Sequence, residues 1–565
     1  MNIDNQNNLL ELFYNQFTKQ KPEEIFLQSL KDTSLKFSWK ETYINILKLS
    51  DELDSFVQNN DRCLLISENR PEWLIADLAI MLSSAITVPA YVTYTERDYE
   101  YLINDCKPSV IIVSDKNQYS KVKNIINKKT FIKAVIAFEE FQNENNIICI
   151  KNIFNKNKFK NKDFLKLQIQ RSDVSCIIYT SGTQGNPKGV ILSHGGILSN
   201  CEGSVSLLKE IVSYKPKFLT WLPLSHSYEH TVQFVQIATG AKIFYAESID
   251  KLIKNMVECS PDIMTAVPRF YQNLFQKINT NFNKVNGLKK YLLTQMLKLG
   301  KKRLLKEKFS ISEIFMNFIC ENLVRKKIKS QFGGSLKAFV SGGGALDRDV
   351  GIFLNSIGLP TLQGYGLTET SPVVSCNFIN DIRIETVGRP FSGNQVKIAN
   401  DGEILVKGEN VMLGYWNKDE ETRKVLKDGW LYTGDIGHFE NEYLKITDRK
   451  KDIIITPGGD NISPVKIEND LIKINFVEQA LVYGDNKPYL IALLVLKKEN
   501  KTINNENIAI EIENINKNFS KIEKVKKFII IKDQFTIENG LMTPTLKLKR
   551  YKIIEKYKNQ IEKLY

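Results

Sequence analysis

The stretch Tyr179-Thr-Ser-Gly-Thr-Gln-Gly-Asn-Pro-Lys-Gly189 combines three glycines, three small hydroxyl side chains and one lysine within eleven residues. Glycines reach backbone conformations that other residues avoid, so successive N–H groups can converge on one anion. The flanking segments 174–178 and 190–192 are apolar and rich in β-branched residues, which predicts a strand on each side. The sequence therefore predicts a phosphate-binding loop between two strands.

Two other interpretations of this loop are a P-loop and an ordinary turn. A P-loop needs Gly-x4-Gly-Lys-Ser/Thr running directly into a helix, and the stretch has neither that spacing nor a following helix. A Ser/Gly-rich hairpin turn would account for the glycines alone. The full string is more specific than such a turn. Its candidate phosphate-binding residues are Thr180, Ser181, Gly182, Thr183, Gly185 and Lys188.

Size and composition place the chain among globular, multidomain proteins. Its 565 residues are too many for one hydrophobic core, and 42% of them are hydrophobic and 25% charged. The eight cysteines form no Cys-x-x-Cys pair and there are only four histidines, which disfavours a structural zinc site or a disulfide framework. Since no secretory signal is evident, we expect a cytoplasmic protein.

The net charge of +14 favours anionic partners or a solvated lysine surface. No motif that interleaves aromatic and basic residues suggests nucleic acid. The most basic part is segment 288–329, predicted to be helical, with Leu288, Leu292, Met296 and Leu299 on one face. Such a helix either lies on anionic lipid or packs on its domain with a solvated lysine face, and the sequence leaves both open.

The pattern along the chain predicts an α/β fold. Apolar strands at 63–67 and 110–114 alternate with helices, which is typical of a parallel sheet, and the apolar run 73–88 is predicted to be a buried helix. Strands at 218–225, 241–246 and 262–267 predict a second doubly wound unit. Short strands and turns over 386–446 then suggest a small β-barrel.

We therefore expect two domains of unequal size. The large N-terminal domain covers residues 1–447 and contains two doubly wound α/β subdomains and the small β-barrel. A hinge linker follows at 448–452, and a small, mobile α+β domain covers 453–565. The charged string at the boundary and the change of pattern beyond it place the division there.

Further motifs follow the loop in a fixed order. They are Leu222-Pro-Leu-Ser-His226, Gly364-Tyr-Gly-Leu-Thr-Glu369, Gly402-Glu-Ile404, Tyr432-Thr-Gly-Asp435, Asp448-Arg-Lys-Lys-Asp452 and Pro544-Thr-Leu-Lys547. Over nearly its whole length the chain thus resembles the adenylate-forming superfamily of acyl-CoA synthetases, luciferases and peptide-synthetase adenylation domains. The resemblance implies that a carboxylate attacks the α-phosphate of ATP, which releases pyrophosphate and forms an acyl adenylate.

Roles for single residues follow from this resemblance. Glu369 and Thr180 would bind Mg²⁺, which prefers one or two carboxylates together with phosphate oxygens and water. Asp435 would accept hydrogen bonds from the ribose hydroxyls with Arg449 nearby, and Lys451 would be the hinge residue between the two half-reactions. The residues expected around the adenine and its motif are Gly342, Gly343, Gly344, Ala345, Tyr365, Gly366 and Thr368.

Two residues of the resemblance concern the acid being activated. Lys547 aligns with the lysine that reaches the α-phosphate and the carboxylate, and His226 lies where the family has a histidine lining the acyl pocket. The commoner pattern has glycine directly before that lysine, where this chain has Leu546, and Lys549 is an alternative lysine. The Pro-Thr-Leu-Lys form is frequent among long-chain acyl-CoA synthetases.

Other strings also resemble the long-chain fatty acid branch: Val267-Pro-Arg-Phe-Tyr271, Ser225-His-Ser-Tyr-Glu-His230 and Thr456-Pro-Gly-Gly-Asp-Asn-Ile-Ser-Pro464. They imply a long-chain fatty acid–CoA ligase that uses ATP, Mg²⁺ and CoA. The alternatives are an acyl-AMP or acyl carrier protein ligase on the same fold, and a non-catalytic lipid-uptake protein. A peripheral position on the inner face of the cell membrane and a homodimer are both compatible with the sequence.

Overall fold

The computed structural model describes residues 6–141, 144, 146–180, 187–212, 215–458, 460–500 and 503–565. The strands in chain order are β1 (Ile25–Ser29), β2 (Lys36–Ser38), β3 (Arg62–Ile66), β4 (Ile86–Ala90), β5 (Val110–Val113), β6 (Ala134–Ala137), β7 (Ile147–Cys149), β8 (Val174–Thr180), β9 (Lys188–Ser193), β10 (Lys217–Thr220), β11 (Lys242–Tyr245), β12 (Ile263–Ala266), β13 (Ala338–Ser341), β14 (Thr361–Gly366), β15 (Val373–Cys376), β16 (Arg389–Pro390), β17 (Gln395–Ile398), β18 (Glu403–Lys407), β19 (Gly414–Tyr415), β20 (Leu426–Lys427), β21 (Trp430–Glu440), β22 (Tyr443–Arg449), β23 (Ile454–Ile455), β24 (Asn461–Ile462), β25 (Val477–Tyr483), β26 (Leu490–Leu496) and β27 (Val525–Ile531).

The helices in chain order are α1 (Leu9–Phe17), α2 (Trp39–Leu53), α3 (Pro71–Leu82), α4 (Glu96–Cys106), α5 (Lys116–Ser120), α6 (Lys123–Ile126), α7 (Ile150–Phe154), α8 (His194–Lys209), α9 (Ser227–Ala238), α10 (Leu252–Cys259), α11 (Pro268–Asn283), α12 (Gly287–Leu304), α13 (Ile311–Cys320), α14 (Lys326–Ser330), α15 (Arg348–Ser356), α16 (Asp419–Val425), α17 (Pro464–Ile472), α18 (Asn505–Asn516), α19 (Arg550–Lys556) and α20 (Lys558–Glu562). A π-helical turn, Glu321–Arg325, joins α13 to α14. No helix in the described part of the chain is both long and apolar enough to cross a lipid bilayer.

Two large sheets carry the N-terminal part of the fold. Within the described residues, one has eight strands in the order β19-β9-β8-β4-β3-β5-β6-β7, and it is parallel from β8 to β7. The other has nine strands in the order β16-β15-β14-β13-β12-β10-β11-β1-β2 and is parallel from β14 to β1. Helices connect most of the successive parallel strands, so the two predicted doubly wound α/β units are confirmed.

The first two strands join the nine-stranded sheet and not the eight-stranded sheet that contains β3. Strand β2 pairs antiparallel with β1 at the edge of the nine-stranded sheet. Pairing of β1 with β11 joins residues more than two hundred positions apart, for example Leu27 and Ile243. Sequence periodicity reports local structure only, so it carries no information on that choice.

The buried helix predicted within the apolar run 73–88 is confirmed as far as Leu82, but the end of the run is a strand. The helix α3 ends at Leu82, and β4 begins at Ile86 in the middle of the eight-stranded sheet. Ser84 adopts a left-handed conformation with φ of 54° and turns the chain between them. Both elements are buried on all sides, and a continuous apolar run cannot distinguish a buried helix from a buried parallel strand.

The predicted β-barrel is an open antiparallel sheet in the described residues. The long strand β21 pairs with β18 and β20 along its first part and with β22 along its second, and β17 pairs with β18. The register shifts between Ile436 and Gly437, where β21 bends. No pairing joins β17 to β22 within the residues described, so the sheet does not close.

The C-terminal part forms its own α+β unit. Strands β25, β26 and β27 make a small sheet with α17 and α18 on one face and the C-terminal helices on the other. Its two hydrophobic clusters contain only residues beyond 453 and are distinct from the clusters of the large sheets. All eight cysteines are buried and free, and the sequence disfavours a disulfide framework.

Three parallel strands of the nine-stranded sheet end side by side. Strands β12, β13 and β14 end at Ala266, Ser341 and Gly366, and each is followed by one of the strings identified in the sequence. In open α/β sheets, ligands bind in the crevice at the carboxyl ends of the strands. The fold therefore brings the motifs after residues 266, 341 and 366 to one edge.

Candidate active site

The predicted phosphate loop spans the hairpin formed by β8 and β9. These strands are antiparallel, and Thr180 lies opposite Lys188 in the register, which confirms the strand-loop-strand setting. The residues between them predicted to bind phosphate, Ser181, Gly182, Thr183 and Gly185, lie outside the described residues. Lys188 forms an ion pair with the Glu421 carboxylate and lies 4.9 Å from the centre of the Tyr415 ring.

Tyr415 joins this hairpin to the Glu369 motif. Its hydroxyl donates a hydrogen bond of 2.9 Å to Oε1 of Glu369, and the Glu369 carbonyl accepts one of 2.9 Å from the Met412 N–H. The strand β19 that carries Tyr415 pairs directly with β9. Burial, with the Glu369 charge beside it, raises the pKa of Tyr415, so this phenol stays protonated and acts as a donor.

The donors near this point suit a magnesium ion that is shared with phosphate. Glu369 is half-buried and supplies a carboxylate, and Thr180 supplies a hydroxyl from the end of β8. No group of three or more His, Cys, Asp or Glu side chains among the described residues could form a metal cage. One carboxylate and one hydroxyl leave coordination positions for phosphate oxygens and water, which Mg²⁺ prefers.

The small residues 342–345 follow β13, and we call them the glycine shelf. A Cβ on Gly342 would lie 2.7 Å from the Tyr228 ring, so only glycine fits there, and the Tyr228 hydroxyl donates to the Val340 carbonyl at 3.1 Å. Gly343 has φ of +79°, which favours glycine. Gly344 and Ala345 continue the loop towards α15. The small side chains leave the backbone of this loop accessible for contact with a planar base.

The Tyr365 motif lies beside this shelf. A Cβ on Gly366 would stand 1.8 Å from the Pro372 carbonyl oxygen, which fixes glycine at that position. The Thr368 hydroxyl lies 3.0 Å from the Ser227 hydroxyl at the start of α9. The motif is thereby tied to the string that contains His226.

Asp435 is the most buried charged residue of the site, and both of its oxygens are engaged. Oδ2 accepts a hydrogen bond of 2.8 Å from the Tyr365 hydroxyl, and Oδ1 lies 3.0 Å from Nε of Arg449. Burial raises the pKa of Asp435, and the Arg449 charge opposes that rise. Asp435 and Arg449 face each other across the β21–β22 pair, so this arrangement is built into the sheet register.

Lys547 comes from the C-terminal unit and reaches this site. Its Cε lies 3.9 Å from the position that a Cβ on Gly343 would occupy. Lys547 is exposed to solvent as a whole residue. Loss of hydration and then the Arg449 charge lower the pKa of Lys547 to about 8. The structure therefore brings Lys547 together with the predicted residues of the large domain.

The turn that carries Lys547 is held by backbone bonds and by packing. The Lys547 carbonyl accepts from the Thr543 N–H at 2.8 Å, and the Thr543 hydroxyl accepts from the Lys547 N–H at 3.0 Å. Leu546 has φ of +62°, a left-handed conformation in which glycine is usual. Its side chain packs against a cluster of the large domain made of Leu222, Tyr228, Val232 and Val267.

His226 caps α9 and faces Lys547. Its Nδ1 accepts a hydrogen bond of 3.1 Å from the Tyr228 N–H, and burial together with the nearby Lys547 charge lowers the pKa of His226 to about 3. The ring is therefore neutral at physiological pH and carries its proton on Nε2. In this state it can donate one hydrogen bond into the cleft.

Lys451 lies in an exposed turn directly after β22. The Arg449 carbonyl accepts from the N–H groups of Asp452 and Ile453, and the preceding Lys450 is paired with Asp401 and Glu403 of the open sheet at 2.7 and 3.0 Å. Because β22 extends to Arg449, the residues that follow it are the first outside that sheet.

Ion pairs and hydrogen bonds fix the C-terminal unit against the large domain. Lys473 contacts Asp347 at 3.2 Å and Asp349 at 2.9 Å, and an Arg269 N–H donates to the Glu478 carbonyl at 2.9 Å. These contacts lie beside the shelf after β13, and they accompany the approach of Lys547 to it.

Sequence reasoning missed three residues of this site. Glu421 holds Lys188, Tyr415 joins Lys188 to Glu369, and Tyr228 forms the base of the glycine shelf. Tyr415 stands in the string Gly414-Tyr-Trp416, whose only local signal is a turn. Glu421 belongs to a charged helix in which any acidic residue would look alike, so nothing in the sequence distinguishes it.

Comparison with known protein families gives two matches on this chain. The family described as AMP-binding enzyme matches residues 14–416, and the AMP-binding enzyme C-terminal domain matches residues 451–565. Among curated proteins, long-chain-fatty-acid–CoA ligase 5 of Rattus norvegicus is 31% identical over 89% of this chain and 79% of its own length. Long-chain-fatty-acid–CoA ligase FadD15 of Mycobacterium tuberculosis is 28% identical over 90% of this chain and 88% of its own length.

Solved structures share the fold over almost the whole chain. MatB from Rhodopseudomonas palustris, with ATP bound, superposes with a TM-score of 0.76 at 22% identity and covers 98% of this chain and 99% of its own. O-succinylbenzoate coenzyme A synthetase from Bacillus subtilis, in complex with ATP and a magnesium ion, gives a TM-score of 0.71 at 20% identity and covers 97% of this chain and 99% of its own.

Proposed function

Because the chain belongs to the AMP-binding enzyme family, we propose that it is a long-chain fatty acid–CoA ligase. It joins a fatty acid to CoA in two steps and releases AMP and pyrophosphate. The nature of the acid and of the acceptor is supported by curated relatives named long-chain-fatty-acid–CoA ligases that align along most of the chain. The reaction is supported above all by one observation, the position of Lys547 against the glycine shelf of the large domain.

In the first step the fatty acid carboxylate attacks the α-phosphate of ATP, a P–O bond forms, and pyrophosphate leaves. The shelf of Gly342 to Ala345 and the Tyr365 motif would hold the base. Asp435 would accept hydrogen bonds from the ribose hydroxyls. Its two oxygens already accept from Tyr365 and contact Arg449, so the carboxylate is oriented before the nucleotide arrives. Such preorganised polar groups lower the cost of reaching the transition state.

The hairpin of β8 and β9 would hold the β- and γ-phosphates. Lys188 is paired with Glu421 in the structure, and we propose that it exchanges this carboxylate for the phosphates when ATP binds. Thr180 and Glu369 would hold Mg²⁺. When bound, the ion neutralises phosphate charge and keeps the leaving group in line. The Tyr415 hydroxyl keeps one oxygen of Glu369 oriented, so the other oxygen remains for the metal.

Lys547 would neutralise charge at the α-phosphate and the carboxylate during this step. A lysine with a pKa near 8 is still largely protonated at neutral pH and is therefore a cation there. The His226 ring lies close enough to Lys547 for the lysine charge to contribute to its lowered pKa, so the ring is neutral. It can donate a hydrogen bond from Nε2 towards the acyl carboxylate. These two groups would define the acyl end of the site.

In the second step the CoA thiol attacks the acyl carbonyl, a C–S bond forms, and AMP leaves with the C–O electrons. We propose that the C-terminal domain, residues 453–565, rotates about Lys451 within the linker 448–452 between the steps. This rotation would withdraw Lys547 and break the contacts of Lys473 with Asp347 and Asp349. The separate hydrophobic clusters of this domain support its movement as a unit.

The test is pyrophosphate release with fatty acids of graded length, with CoA or acyl carrier protein as acceptor. We expect release with long chains and thioester only with CoA. Thioester on carrier protein alone would favour the acyl carrier protein ligase, and release without any thioester would favour the acyl-AMP ligase. If the protein bound a fatty acid but released no pyrophosphate with any chain length, it would be a non-catalytic lipid-binding protein.

We place the enzyme in the cytoplasm, peripheral on the inner face of the cell membrane.

A further inference from the structure

We infer that the helical segment from α12 to α14, residues 287–330, is a docking surface for an anionic lipid bilayer, with α13 as its apolar element. We call it the helical platform. The inference goes beyond the reaction and does not depend on which acid or acceptor the enzyme uses. It rests on the exposure of apolar side chains, on the charge of the segment and on the way α13 is attached.

The first observation is an exposed apolar face on α13. Ile311, Ile314, Phe315 and Phe318 are 88, 58, 67 and 66% exposed. Their spacing is i, i+3, i+4 and i+7, so they lie on one side of the helix. Large apolar side chains normally avoid water when the fold offers them a partner, and this helix offers four of them to solvent.

These four residues belong to a wider concentration. Sixteen large hydrophobic side chains are exposed among the described residues, and eight of them lie in the helical platform. The other four are Leu288, Tyr291, Leu305 and Leu323. Single exposed apolar residues are normal on a protein surface, but such clustering marks an interaction site.

The second observation is the charge of the platform. It contains twelve Lys or Arg residues and three Glu residues, a net charge of +9 out of +14 for the chain. Two of the three acidic residues are paired within the platform. Glu313 contacts Lys302 at 2.8 Å and Glu321 contacts Arg325 at 3.2 Å. Most of the remaining lysines are exposed, so the positive charge is presented to a partner.

The third observation is that α13 is anchored to the fold on its other side. Met316 and Cys320 pack into the hydrophobic cluster beneath the nine-stranded sheet. The buried Arg325 donates to the Ser356 carbonyl at 2.9 Å, the Met296 carbonyl at 3.2 Å and the Asn317 side chain at 2.9 Å. The exposed face is therefore held in place by a packed one.

Together the apolar and cationic features fit the interface of a bilayer with anionic headgroups. A helix with an apolar face sinks into the boundary between headgroups and acyl chains, while lysines around it contact the phosphates. A second copy of the chain is a poorer partner because it would bring a platform of +9 against another of +9. The partner that best fits the helical platform is therefore an anionic lipid bilayer.

Flotation of the full-length protein with vesicles tests this inference. Vesicles of phosphatidylcholine alone are compared with vesicles that contain one third phosphatidylglycerol. We expect binding to the anionic vesicles only, and weaker binding as salt increases because the lysine contribution is screened. Replacement of Lys326 and Lys327 by Gln should weaken binding by about fivefold per lysine.

The decisive variant is Ile314→Gln, Phe315→Gln, Phe318→Gln. Its matched control, Ile249→Gln, Val257→Gln, Ile510→Gln, changes three side chains that are exposed to a similar extent elsewhere, at 57, 50 and 59%. We expect about a tenfold or greater loss of vesicle binding for the first variant, since each buried methylene contributes to insertion, and no loss for the control. Pyrophosphate release with a long-chain fatty acid, measured without vesicles, should be equal in both variants and the wild type, which separates this test from that of the reaction.

Three results would overturn the inference. One is equal binding to neutral and anionic vesicles, and another is unchanged binding of the α13 variant. The third is a dimer by light scattering that the α13 variant dissociates, since this would show that a second copy covers the face.

Discussion

Replacement of Leu546 tests whether packing across the domain interface holds Lys547 in position. Leu546 is half-buried, and its side chain contacts both the large-domain cluster around Tyr228 and the core of its own domain. Full burial of a leucine contributes about 1.5–3 kcal/mol, so half-burial contributes about 1 kcal/mol. The left-handed backbone costs a non-glycine residue about 1–2 kcal/mol, but this cost lies within the C-terminal domain.

The strain is therefore the same in every domain arrangement, whereas the packing exists only when Lys547 is at the shelf. Leu546→Ala and Leu546→Gly should both weaken the adenylation arrangement by about 1 kcal/mol, a factor of about five. The two variants should differ in stability, because glycine relieves the left-handed strain and alanine retains it. We expect a higher Tm for Leu546→Gly than for Leu546→Ala.

The assay is single-turnover formation of acyl adenylate, followed separately by thioester formation from supplied acyl adenylate. Adenylation should fall about fivefold in both variants, and thioester formation should be unchanged or faster. If both half-reactions fell equally, or if only the alanine variant lost adenylation, the argument that packing and not strain sets the arrangement would be refuted.

Other predictions concern single site residues. Lys547→Ala should abolish adenylation but leave thioester formation from supplied acyl adenylate largely intact, and an equal loss in both would contradict its role in the first step. The pKa of Lys547 is about 8 and its cation is the active form, so kcat/KM for adenylation should fall as pH rises through 8. Lys547→Arg should remove that fall because a guanidinium stays charged. A fall that persists in the arginine variant would assign the titration to another group. Lys451→Pro should release pyrophosphate in one burst and make little acyl-CoA; acyl-CoA at the normal rate would exclude Lys451 as the hinge. Asp435→Asn should raise the KM for ATP by about tenfold, the effect of weakening charged hydrogen bonds, with no change for the fatty acid, and an equal rise for both substrates would argue against ribose binding.

Local elements and motif order could be predicted from the sequence. The strands on both sides of the loop and the basic helices after residue 287 are confirmed, because each depends on the periodicity of neighbouring residues. The proximity of Asp435 to Arg449 follows from one antiparallel pair. The resemblance to the adenylate-forming superfamily rests on the same strings, and the family matches confirm it.

Contacts between distant segments could not be predicted. The pairing of Lys188 with Glu421 depends on β19 lying beside β9, and nothing near either residue encodes that pairing. The split of the run 73–88 into helix and strand depends on its burial in the middle of a sheet. The left-handed conformation of Leu546 was also unexpected, since leucine is a rare choice there and its packing partners lie between 279 and 324 residues earlier.

The pairing of early strands with late ones constrains how the chain can fold during synthesis. Strand β1 pairs with β11 through Leu27 and Ile243, and β9 pairs with β19 through Val190 and Tyr415. During synthesis the first strand of each pair leaves the ribosome long before the second, so its apolar edge stays unpaired. A topology with such distant contacts also folds slowly. The large domain must therefore complete its sheets after most of it has been made. A chain divided near residue 215 should aggregate, whereas one divided near residue 450 leaves each sheet whole.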